Sequence, residues 1–129
     1  MRPLIAATVL CAVAQIWTPV RALAGPWEDG MAAYVKGDYV PAVQFFRPLA
    51  QQGNASAQAV LGRMYRRGQG VTKSSAHAFM WLSLASARGD AKAKVELRDM
   101  SRSMTPEELA HAREMMQACE VSNYRSCAY

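Results

Sequence analysis

The sequence predicts an all-α chain folded as a short α/α superhelix, a solenoid of about three antiparallel helix pairs. Three observations carry this. Sliding the chain by 36 residues places Ala42 on Ala78, Phe45 on Trp81, Gly53 on Gly89 and Ala57 on Ala93, and it also aligns Leu61 with Leu97 and Met64 with Met100. What repeats is the small residues, a turn glycine and the large apolar anchors, while polar positions drift, as packing between helices requires. Apolar residues recur at helical spacing, and no window shows the alternation of a strand. The apolar runs are punctuated by glycine followed by an N-capping side chain, Gly53-Asn54 and Gly89-Asp90.

Taken in order, a first helix spans about 25–37, with Trp27, Met31, Ala33 and Tyr34, and ends at Gly37. Asp38 is the candidate N-cap of the second, in which Pro41 fits the first turn and Ala42, Phe45, Phe46 and Leu49 are apolar. Pro48 removes a backbone donor and predicts a bend or a curved helix. Gly53 suits the left-handed position past that helix end, and Asn54 caps a third helix running to Arg67, with Ala57, Leu61, Met64 and Tyr65 as its stripe. Gly68 and Gly70 stop it. Ser74 or Ser75 caps the fourth helix, in which Ala76, Phe79, Met80, Leu84 and Ala87 recur and Trp81 and Leu82 widen the stripe. Asp90 caps the fifth, with Ala93, Leu97 and Met100 on one side. Thr105-Pro106-Glu107-Glu108 is a capping box with proline at the first helical position, so a sixth helix runs from there to about Ala118.

The N-terminus reads as an export leader. Arg2 precedes a mostly apolar Leu4–Ile16, and Ala22-Leu23-Ala24 presents a small-residue cleavage pattern, so residues 1–24 are expected to be removed and 25–129 to form the domain. Gln15, Pro19 and Arg21 interrupt the run before it reaches the roughly 20 apolar residues of a membrane span, so no stable span is expected once the leader is cleaved. A periplasmic or secreted location follows. Leu10 stands where a lipoprotein signal at Cys11 would need a small residue. Removing Arg2 and Arg21 from 15 basic residues leaves 13 against 10 acidic ones, a net +3 that argues for no nucleic acid. An acidic protein patch or an envelope polymer suits it better. Two cysteines remain, Cys119 and Cys127. In an oxidising compartment they pair, closing a short loop worth roughly 2–3 kcal/mol, or they stay as two thiols in a frayed tail.

No catalytic constellation is visible, so an enzyme is not predicted, and neither cofactor nor metal is expected. Gly68-Gln69-Gly70 lacks the third glycine of a dinucleotide loop, since position 73 is Lys73. Lys73-Ser74 lacks the glycine of a P-loop, since Thr72 precedes it. His77 and His111 have no second histidine at helical spacing, and two cysteines do not make a zinc site. Glu107, Glu108 and Asp90 are explained by capping. Met100, Met104, Met115 and Met116 read as adaptable core. Asn54-Ala55-Ser56 fits a glycosylation sequon but reads better as a cap.

Ala57, Leu61, Gly62, Tyr65, Gly68, Gly70, Val71, Ala78, Trp81, Ala85 or Ala87, and Gly89 follow a pattern A-x-x-x-L-G-x-x-Y, G-x-G-V, A-x-x-W, A-x-x-G. This resembles the Sel1-like repeat, a relative of the tetratricopeptide repeat. One repeat matches closely over 54–89 and the flanking half-units match in part; Arg98 stands where the family has glycine, and the next unit lacks the G-x-G-V loop. Ala118-Cys119 and Cys127 are further similar to the junction of exported cysteine-rich members, whose bridge pins neighbouring helices; here it would pin the 120–129 tail. The resemblance implies a non-catalytic scaffold whose first helices of each pair line a concave surface holding a protein or peptide. Some cysteine-rich relatives are linked to peptidoglycan-like ligands, which makes a cell-wall binder or enzyme the alternative, although no residue here carries that chemistry. On the implied surface, Arg63, Arg66 and Arg67 flank the third helix's stripe, and the 36-residue shift aligns Lys94, Arg98 and Arg102 with Gln58, Gly62 and Arg66. A strip of Gln58, Arg63, Arg66, Lys94, Arg98 and Arg102 is therefore expected to meet an acidic partner segment. The exposed ends of so short a solenoid also lead to the expectation of a weak homodimer.

Overall fold

The computed structural model describes residues 24–127. The predicted leader, apart from Ala24, lies outside the described residues. Those residues form six helices and no strand: α1 (Pro26–Lys36), α2 (Tyr39–Gln51), α3 (Ala55–Arg67), α4 (Ser75–Ala87), α5 (Ala91–Ser101) and α6 (Pro106–Val121). The all-α repeat solenoid is thus the fold.

Most helix boundaries follow from local chemistry. The Asn54, Ser74 and Asp90 side chains accept the backbone N–H of Ala57, His77 and Ala93, and Thr105 forms its capping box with Glu108. Asp38 holds the N-cap position of α2 but makes no side-chain capping bond. Pro48 lies within α2, which continues to Gln51 without interruption. Gly53, Gly68, Gly70 and Gly89 all adopt positive φ, the conformation that a Cβ disfavours.

Packing runs along the chain, α1 on α2, α2 on α3, α3 on α4, and then α4 takes both α5 and α6. The last pair is therefore splayed, each member leaning on α4. This explains why α4 is apolar nearly all round, with Ala78, Met80, Trp81, Leu82, Leu84 and Ala85 buried. Ala87, expected on the stripe, is exposed, and in α2 the fully buried anchor is Phe46 rather than Phe45. Two close approaches need glycine: a Cβ on Gly62 would lie 2.7 Å from Leu82 Cγ, and one on Gly70 would lie 2.5 Å from the Tyr39 carbonyl oxygen. The first seats α3 on α4; the second presses the G-x-G loop against the start of α2.

α6 extends past Ala118 to Val121. It closes with Asn123 in the left-handed region, where the Asn123 N–H donates to the Glu120 carbonyl and the Tyr124 N–H to that of Cys119. Cys119 and Cys127 stand at disulfide distance, Cα–Cα 4.3 Å. The tail so folded places the Tyr124 hydroxyl 2.6 Å from Arg88 Nη2 and its ring beneath the same guanidinium, tying the C-terminus to the end of α4.

Candidate functional site: a groove along the first helices

The first helix of each pair turns one face toward a common groove. On α1, Trp27, Met31 and Tyr34 fall at helical spacing, each half-buried, and Trp27 is fixed by a ring contact with Phe46 at 5.4 Å. On α3 the corresponding face is Ser56, Val60, Arg63 and Arg67, opposite the buried stripe. α5 contributes Lys92 and Glu96. Trp27, Met31, Ser56, Val60, Arg63, Asp90 and Lys92 together line a depression of about 280 Å³. It has an apolar floor and a charged rim.

The rim is ordered by polar contacts between successive helix pairs. Arg63 Nε donates to Glu96 Oε1 at 2.8 Å, with the two side chains 18% and 15% exposed. Arg67 Nη1 donates to the Tyr34 hydroxyl at 3.4 Å, and that hydroxyl reaches Gln69 Oε1 at 3.5 Å. These contacts cross-link α1 to the end of α3 and α3 to α5, holding the groove's width.

The expected basic strip is not gathered in one place. Gln58 is fully buried, and its Nε2 donates to the Ala50 carbonyl at 3.1 Å, satisfying an acceptor at the end of α2. It has no surface to offer a partner and leaves the set as a correction. Arg63 does face the groove, but its charge is met by Glu96. Arg66 is exposed beside the groove-facing Arg67 rather than with it. Lys94 and Arg98 are each two residues from Glu96, so they lie about 160° around α5 from the flank that meets α3. Arg102, the C-cap of α5, continues that outer row and is exposed. The shift of 36 aligned these residues in sequence, but only a buried neighbour on each side gives α3 its orientation.

Trp27, Met31, Val60, Lys92 and Glu96 are not marked as site residues by the sequence, and Arg67, which flanks the α3 stripe with Arg63 and Arg66, lies outside the expected strip. On α1 the signal is the apolar Trp27–Met31–Tyr34 spacing itself, and on α3 the Val60–Arg63–Arg67 spacing marks a second face opposite the buried stripe. Among the described residues no group of three or more His, Cys, Asp or Glu side chains is placed to hold a metal ion. No described helix is long and apolar enough to cross a membrane.

Two adjoining segments, residues 22–54 and 55–90, match the Sel1 repeat family. No curated protein matches the chain. The second segment begins with α3 and ends just after α4; the first ends at the N-cap of α3, so the junction falls in the Gly53-Asn54 turn. Sel1 repeats generally mediate protein–protein interaction and are typically non-catalytic. With matches over more than half of the 129 residues and two successive helix pairs in the matching phase, the chain belongs to the Sel1 repeat family.

Proposed function

We propose that this protein is a non-catalytic scaffold of the bacterial cell envelope or secreted fraction, which holds a protein or peptide segment in the α1–α3–α5 groove. The observation that carries this reading is the groove itself: a half-buried Trp27–Met31–Val60 floor between charged walls braced by Arg63–Glu96 and Arg67–Tyr34. Half-buried aromatic and methionine side chains on a braced surface are what peptide recognition uses. Export is supported by the leader pattern over 1–24 and by the Cys119–Cys127 pair, which needs an oxidising compartment to persist.

An acidic partner segment remains the reading, but its contacts shift. With Arg63 already paired, Lys92 is the other cation lining the depression and Arg67 stands on the same face of α3 beside Tyr34, while Arg66, Lys94, Arg98 and Arg102 add a positive surround. Crosslinked capture from the envelope fraction tests this. Trp27→Ala/Val60→Asp should abolish capture of the partner, and Arg67→Glu/Lys92→Glu should weaken it several-fold, whereas Arg98→Glu/Arg102→Glu on the outer row should act weakly. Equal capture by the wild type and the Trp27→Ala/Val60→Asp variant contradicts the groove.

A further inference from the structure

A second concavity lies away from the groove, between the end of α3, the G-x-G loop and the start of α4. It measures about 710 Å³, within the range of small-ligand sites. Its polar lining is Arg47 from α2, Tyr65 from α3, Thr72 from the loop, and Ser74 and His77 at the α4 N-terminus. No carboxylate is among the lining residues.

Three features make this more than a surface dent. Tyr65 is only 3% exposed, yet its hydroxyl is buried without a hydrogen-bond partner among the described residues. A buried hydroxyl left unmatched is unfavourable and calls for a polar group beside it. The Tyr65 ring stacks on the His77 imidazole at 4.8 Å between centroids and 16° between planes, which fixes both side chains in the pocket wall. Ser74 Oγ lies 2.8 Å from His77 Nδ1 and accepts the His77 backbone N–H at 3.2 Å, so the imidazole is oriented with its Nε2 edge away from the serine. Arg47 brings a guanidinium, a permanent cation with N–H donors alone, to the same lining. α4 adds the positive end of its dipole and carries no acidic residue in its first turn.

We propose that this pocket is a second binding site, which takes a small oxyanion, a carboxylate or a phosphate group, between Arg47, the Tyr65 hydroxyl and the Ser74–His77 pair. Every polar side chain lining it can donate a hydrogen bond, and an oxyanion supplies the negatively charged acceptor that a lining without a carboxylate lacks. The site is independent of the groove, since none of its residues lines both.

The test is an amide NMR titration of the full chain with sodium phosphate and, separately, sodium acetate, at constant ionic strength set with sodium chloride. Saturable shifts confined to 68–77 and the neighbourhood of Arg47 are expected with at least one of the two, and the responding salt identifies which oxyanion fits. Tyr65→Phe removes one oxygen atom and keeps the ring stack, and it should weaken binding at least five-fold; Arg47→Gln should do more. Shifts that grow without saturation and spread over Arg66, Lys94 and Arg98 would be charge screening and overturn the proposal. So would unchanged affinity in a folded Tyr65→Phe protein.

Discussion

α3 and α5 occupy equivalent positions one repeat apart, yet they are different kinds of helix. α3 buries Ala57, Gln58, Ala59, Leu61, Gly62, Met64 and Tyr65; α5 buries only Ala93 and Met100. α3 is packed between α2 and α4, whereas α5 packs mainly on α4 and meets α3 through the Arg63–Glu96 pair. At equivalent places Gln58 is a core residue and Lys94 is exposed, and Gly62 nests on Leu82 while Arg98 points outward. In a solenoid the environment of a residue is set by its neighbouring repeats as much as by its own repeat position. The α3 wall of the groove is therefore held by packing on two sides, whereas its α5 wall is held mainly by α4.

The comparison breaks most visibly at the two leucines that the repeat aligns. Leu61→Ala should cost about 3 kcal/mol, because the side chain is wholly buried, and Leu97→Ala about 1 kcal/mol, because it is half-buried on an end helix. Urea unfolding of both variants measures the difference, and equal losses would remove the distinction between interior and end.

Next in size is the polar pair. Gln58→Ala removes the bond to the Ala50 carbonyl and should cost about 1–2 kcal/mol, while Lys94→Ala should stay within about 0.5 kcal/mol of the wild type. The smallest effect sharpens the picture of how the two helices are joined. A double-mutant cycle on Arg63→Ala and Glu96→Ala should give a coupling of about 0.5–1 kcal/mol, reduced by salt.

Which features could be read from sequence follows the same division. The caps at Asn54, Ser74, Asp90 and Thr105 involve partners three residues away, so local chemistry specifies them. The apolar stripe of α3 was legible for the same reason. The end of α6 was not, because Asn123 supplies the left-handed turn that the sequence marks elsewhere with glycine. Gln58 was misplaced because a glutamine beside a stripe looks solvent-facing until the end of α2 is set against it. The groove was hidden more deeply: Arg63 meets Glu96 across 33 residues, and Arg67 meets Tyr34 across the same separation. Such contacts depend on how the pairs stack, which the repeat period alone does not define.

The proposed partner lies in the α1–α3–α5 groove and not on the outer row of α5. Site-specific photocrosslinking tests it most directly, with benzoylphenylalanine placed at Ser56 in the groove or at Val95 on the exposed side of α5. The predicted result is a discrete protein adduct from Ser56 that is lost in Trp27→Ala, and none from Val95. An adduct from Val95 with none from Ser56 would contradict the account.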